Sequence, residues 1–256
     1  MQFITLTTDF GTRDFYAGAL KGALLSRVPE ARLVDISHEV PPFDIVQAAF
    51  LVRNVWREFP PATLHLIGVH CVYSPDYRFV AARQEGHYFL APDNGVLTLI
   101  FDHLEPHDLR LLPADGARHF AVKEVFAQAA TQLSAGQPFE ELGEYPAPLL
   151  ERISLQPVIT PTRLRGTVVH VDNFDNVVLN IRREVFEKAR NGRAFSLFFK
   201  RNDPLTQLSQ NYCDVAVGEQ LCLFNAAGLM EIAVNMGRAA TLLGMKVEDV
   251  VEVVFE

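Results

Sequence analysis

The chain has 256 residues, 49% of them hydrophobic, enough apolar material for one large domain or two modest ones. Its formal charge of −8, with no Lys/Arg cluster, argues against nucleic acid or an anionic membrane surface and toward a small-molecule or protein partner. Apolar runs such as residues 63–69 are too short to span a bilayer, and no basic-then-apolar leader opens the chain, so a cytoplasmic location is expected.

Residues 2–8 ("QFITLTT") read as a strand, 14–28 as a helix, "ARLVDIS" as a second strand, 44–58 as a second helix and "TLHLIGV" as a third strand. Short apolar strands alternating with helices predict a mainly parallel sheet covered on both faces, with ligands beyond the carboxyl ends of the strands. A hairpin follows, turning at Glu85-Gly86, and then a tight turn at Pro92-Asp93-Asn94-Gly95. Residues 121–135 read as a helix. Proline density rises over 143–163, which marks a linker. Beyond it the pattern turns to strands with little helix, as in "RGTVVHVDNFDNVVLNI" and "VVEVVF". The expected architecture is therefore an α/β domain over residues 1–150, an α/β sandwich around a mainly parallel sheet, and a smaller β-barrel domain over 163–256. The cysteines, Cys71, Cys213 and Cys222, form no C-x-x-C pair and read as ordinary thiols, with neither a disulfide framework nor a thiolate metal site.

The three strand-end loops carry the polar residues: "TTDFGTRD", "DISHEVPPFD" and "HCVYSPDYR". Asp9 offers two acceptor oxygens to a ribose diol, with Gly11 nearby to let backbone approach a ligand. Asp14 reads first as a helix N-terminal carboxylate and second as a ligand group. Phe43, behind two prolines, either walls a purine or sugar or fills the core. "APDNG" reads as a turn. In "VDNFDNVVLNI", Asp172, Phe174 and Asn176 alternate, so in an extended segment they share one face suited to adenine and an ammonium; the alternative is an Asn/Asp-rich turn. His70 at the tip of a buried strand is, taken alone, a structural histidine. No Gly-rich phosphate loop is present, so no phosphate cofactor is indicated.

Together "TTDFGTRDFYAGALKG", "VDISHEVPPFDIVQAAF", "YFLAPDNGVLT", "VDNFDNVVLNI" and "EIAVNMGRAATLLG" resemble, in order and over both halves, the S-adenosyl-L-methionine hydroxide adenosyltransferase, chlorinase and fluorinase family. The resemblance implies an N-terminal α/β domain, a C-terminal β-barrel, and a homotrimer whose sites lie at subunit interfaces. It implies S-adenosyl-L-methionine as substrate, or that molecule or adenosine as ligand, with no cofactor or metal. The bond between sulfur and ribose C5′ breaks under in-line attack of water, hydroxide or halide. By position, Asp9 matches the ribose-binding aspartate, Asp14 and Asp172 match residues near the methionyl end, Phe43 an aromatic beside the ribose, and Phe174 and Asn176 adenine contacts.

The catalytic loops depart from the family. Hydrolytic members carry V-D-P-G-V-G-T followed by arginine, and F-H-G-R-D-x-F-A-P-A-A before a later helix. Here His70 stands at the aspartate position and Arg78 reaches the arginine position only with one residue inserted. Ala121 replaces the histidine, Val122 the glycine, and Lys123-Glu124 the Arg-Asp pair; Ala226 replaces a usual serine. The resemblance therefore implies a hydrolase with His70 and Arg78 as a rebuilt catalytic pair, a binding protein that has lost the chemistry, or an enzyme using another nucleophile or substrate.

Overall fold

The computed structural model describes residues 3–71, 77–114, 120–145, 148–200 and 203–256, which divide into two compact units, Met1–Ser154 and Leu155–Glu256. In the first, strand β1 (Phe3–Thr8) leads to helix α1 (Tyr16–Arg27), β2 (Arg32–Ser37), α2 (Ile45–Arg53), β3 (Leu64–Gly68), β4 (Phe79–Gln84), β5 (His87–Pro92), α3 (Val96–Ile100), β6 (Leu109–Leu112) and α4 (Ala121–Ser134). The sheet order is β2-β1-β3-β5-β4-β6; the first four strands run parallel and β4 and β6 join as antiparallel additions. The mainly parallel α/β sheet is as expected from the alternation.

Both faces are covered, which is why the strands read as continuous apolar runs. Leu20, Leu24, Val125 and Phe126 of α1 and α4 pack with Ile4, Leu6 and Leu66 on one face. Ala48 and Val52 of α2, Trp56, and Val96, Leu97 and Ile100 of α3 pack with Ile67, Val80 and Phe89 on the other. Local chemistry sets several ends. Asp44 caps α2, its carboxylate accepting from the N–H groups of Val46 and Gln47. Glu85 (φ 48°) and Gly86 (φ 79°) make the two-residue β4–β5 hairpin turn.

Two boundaries differ from the expectation. The second helix ends at Arg53, and only a single 3-10 turn, Trp56–Glu58, continues it. The first begins at Tyr16 with Phe15 at its N-cap and no side-chain cap bond, so Asp14 does not cap it. The carboxylate is instead exposed, two residues before the helix.

A buried polar chain crosses the first unit. Thr5 Oγ1 lies 2.8 Å from His65 Nδ1, and His65 Nε2 lies 3.2 Å from His87 Nδ1. Burial pushes His65 down to about 3, reinforced by His87, and burial lowers His87 as well. The His65 ring is neutral in the fold down to low pH, whereas in the unfolded chain a histidine protonates near pH 6.5. Below that pH the unfolded chain binds protons that the native chain does not, so stability is lost as pH falls. His65 alone is expected to remove about 2 kcal/mol between pH 7 and pH 5. Denaturant unfolding at the two pH values checks this, and His65→Gln is expected to flatten the dependence.

The second unit holds β7 (Val158–Ile159), β8 (Arg163–Val171), β9 (Val177–Arg182), α5 (Arg183–Arg190), β10 (Phe195–Phe198), β11 (Gln220–Phe224), β12 (Leu229–Val234), α6 (Ala239–Leu243) and β13 (Val250–Phe255). Its antiparallel order is β10-β13-β8-β9-β12-β11, with β7 beside β8. Single bridges Leu197–Leu205 and Leu208–Cys222 link the segment 205–208 to β10 and to β11, curling the sheet into the barrel-like form expected. The eight-residue helix α5 was not anticipated; Phe186 is its one buried side chain, against Phe195 and Phe224.

Candidate functional site

The parallel strands deliver three loops to the carboxyl edge of the first sheet, and Asp9 ties them together. Its Oδ2 accepts from the N–H of Phe43 and from the N–H of His70, both at 3.0 Å. Phe43 (φ 69°) and His70 (φ 53°) are both left-handed, a conformation costing a non-glycine residue about 1–2 kcal/mol. One carboxylate oxygen thus holds two loops in conformations they would not adopt alone. The Phe43 ring is 66% exposed and meets the His70 ring edge-on, 5.4 Å between centroids. Of the two roles weighed for Phe43, the core one is therefore excluded.

Gly11 serves this junction by its backbone. With φ 66° its N–H donates to the His38 carbonyl at 2.7 Å, and a Cβ there would meet nothing within 4 Å, so torsion rather than space calls for glycine. Thr8 Oγ1, 2.7 Å from His38 Nδ1, and the Val40 N–H on the Thr8 carbonyl bind the same two loops. Cys71 adjoins Asp9; burial first and that carboxylate second raise its thiol pKa well above the ordinary value, which keeps it a neutral, unreactive thiol.

Arg78 is held by the Asp93 turn. Its guanidinium pairs with Asp93 and donates to the Pro148 carbonyl at 3.1 Å. Asp93 is buried and accepts also from the Leu150 N–H at 2.9 Å, while Asn94 Nδ2 donates to the Val69 carbonyl at 3.1 Å. "APDNG" is thus more than a turn; it fastens the ends of β3 and β5 to the 148–150 segment. Among the described residues no hydrogen bond joins His70 and Arg78. Tyr77, which sequence reasoning passed over, does reach His70: its hydroxyl donates to the His70 carbonyl. At the later helix, Ala121 and Val122 are buried first-turn residues of α4 with no polar group to aim at water. The remainder of "HCVYSPDYR", residues 72–76, lies outside the described residues.

In the second unit, Asp172, Phe174 and Asn176 do not share one face of a strand. Residues 172–176 form a turn between β8 and β9 in which Asp172 Oδ1 accepts from the N–H groups of Phe174 (2.9 Å) and Asn176 (2.8 Å), and Oδ2 from Asn176 Nδ2 (3.1 Å). Closing its own turn satisfies the Asp172 carboxylate better than an extended chain would, as Asx turns do. Phe174 is left exposed and Asn176 buried. A neighbouring group went unread in the sequence: buried Glu231 accepts from the Tyr212 hydroxyl at 2.8 Å and from Asn225 Nδ2 at 3.1 Å. Burial raises the Glu231 pKa, with Asp172 adding to it, and burial with Glu231 pushes Tyr212 up to about 12. Strand alternation could have found Glu231, a lone charge in the apolar run "LMEIAV".

Residues 4–143 match the SAM hydroxide adenosyltransferase N-terminal domain and residues 166–252 match its C-terminal domain. The chain belongs to the SAM hydroxide adenosyltransferase family. It is 28% identical over 275 residues to an (R)-S-adenosyl-L-methionine hydrolase of Methanocaldococcus jannaschii, covering 100% of this chain and 97% of the relative. It is 32% identical over 254 residues to an (R)-S-adenosyl-L-methionine hydrolase of Salinispora tropica, covering 95% and 94%. The crystal structure of an uncharacterized conserved protein from Thermotoga maritima superposes with a TM-score of 0.88 at 28% identity, covering 99% of this chain and 100% of that one. Membership in the SAM hydroxide adenosyltransferase family agrees with the resemblance carried by the motifs.

Proposed function

We propose that this chain binds S-adenosyl-L-methionine and hydrolyses it to adenosine and L-methionine, with the (R)-sulfonium epimer of its named relatives as preferred substrate. The observation that carries the reading is the Asp9 junction, which brings a carboxylate, an aromatic ring and an imidazole to one sheet edge. Water attacks ribose C5′ in line with the departing sulfur, the C–S electron pair leaves with methionine, and the proton of water passes to the solvent-facing His70 imidazole. The sulfonium is already a good leaving group, so the site's main task is to position and desolvate the nucleophile. Asp9 Oδ1 receives the ribose hydroxyls and Phe43 flanks the sugar. Asp14 and Asp172 serve the methionyl end, and Phe174 and Asn176 the adenine. Arg78 supports the reacting loop from its pair with Asp93. No cofactor enters.

The assembly we propose is a homotrimer. Supporting it, the first unit exposes Phe15 and Val46 and the second exposes Val217, Met236 and Leu242, apolar residues that an oligomer would cover. No helix among the described residues is long and apolar enough to cross a membrane. The three free thiols support a cytoplasmic location.

Incubation with each sulfonium epimer, followed by chromatography for adenosine and methionine, tests the activity. Equimolar products, faster from the (R)-epimer, are expected. Calorimetric binding without turnover would sink the hydrolase reading, and a monomer in sedimentation would sink the trimer.

A further inference from the structure

His70 occupies a backbone conformation that must be held from outside, and the structure shows what holds it. On its amino side the N–H donates to Asp9 Oδ2; on its carboxyl side the carbonyl accepts the Tyr77 hydroxyl. These two bonds bracket the left-handed residue at φ 53° and set the direction in which its imidazole leaves the chain, against the edge of Phe43. The Tyr77 ring, two residues before β4, packs edge-on against Phe79 at the start of that strand, 5.5 Å between centroids. The next residue, Arg78, turns to buried Asp93 and the Pro148 carbonyl and makes no bond to His70.

We propose that Tyr77 is the positioning residue for His70, and that Arg78 acts only by anchoring the start of β4 to the Asp93 turn. The proposal rests on the hydrolase reading for its kinetic consequence but not for its geometry. A phenol donating to the carbonyl of a left-handed histidine fixes the peptide that sets the direction of the imidazole. With the hydroxyl removed, the peptide following His70 is free to rotate toward ordinary torsions and the imidazole leaves its place beside Phe43.

Tyr77→Phe tests this, because it deletes a hydroxyl whose bond lies at the surface and leaves the ring packed on Phe79. Steady-state kinetics are expected to show kcat reduced about 10-fold with KM for S-adenosyl-L-methionine unchanged. Long-range proton–nitrogen spectra of uniformly labelled protein give a second readout independent of activity. The His70 imidazole signal, identified by its disappearance in His70→Asn, is expected to move in Tyr77→Phe. It is expected to stay in place in Tyr88→Phe and in Arg78→Lys. An unmoved His70 signal in Tyr77→Phe, or one that moves in Arg78→Lys alone, overturns the proposal. If the wild-type chain shows no turnover the hydrolase reading fails by itself, and the spectra still decide whether Tyr77 holds His70.

Discussion

His70→Asn is expected to lower the rate of adenosine formation by about 10²–10⁴-fold, the usual contribution of a general base, with little change in KM. Asparagine is the informative replacement because it tolerates the left-handed conformation and keeps the N–H that donates to Asp9. Only the imidazole is lost. Neither Ala121 nor Val122, the first two residues of α4, offers a polar side chain that could take over the proton. A His70→Asn protein turning over at the wild-type rate, in the chromatographic assay for adenosine, would remove His70 from the chemistry.

Asp9 carries the second large effect, and two substitutions separate its two jobs. Asp9→Asn keeps one oxygen to accept from the Phe43 and His70 N–H groups and places an NH2 where Oδ1 would meet the ribose. Hydrogen bonds to a charged group contribute about 1.5–3 kcal/mol, so kcat/KM is expected to fall about 10- to 100-fold, chiefly through KM, with the melting temperature nearly unchanged. Asp9→Ala leaves both N–H groups without their acceptor and two left-handed residues without support. It is expected to lose a further order of magnitude through kcat and to lower the melting temperature. Equal kinetic losses in the two variants would mean that the junction has no role beyond binding.

The same residues show how the loops divide between what local chemistry reveals and what it hides. Asp9 was legible because its two acceptor oxygens suit a ribose diol, Gly11 follows closely, and the strand order puts it on the ligand edge. Its second role was not, since it accepts from residues 34 and 61 positions away. Arg78 entered through the family resemblance, and its pairing with Asp93, 15 residues later, was not legible in the sequence. Tyr77 carried no signal at all, because a tyrosine beside a strand is ordinary until its hydroxyl is seen on His70.

By itself the sequence determined the alternation that makes a mainly parallel sheet, the two-residue hairpin at Glu85-Gly86, the strand-rich second half and, through its motifs, the family. These depend on side-chain period and backbone preference, which are local. Of the two readings open at 172–176 the Asn/Asp-rich turn is the one formed, because Asp172 bonds within its own turn; at α1 Phe15 rather than Asp14 stands at the N-cap. Only the tertiary structure decided which loops meet at Asp9, which partner Arg78 takes and what brackets His70. Those contacts join residues from different strands, and the parallel order that brings the strand ends together is fixed by burial of both sheet faces, not by any short stretch of chain.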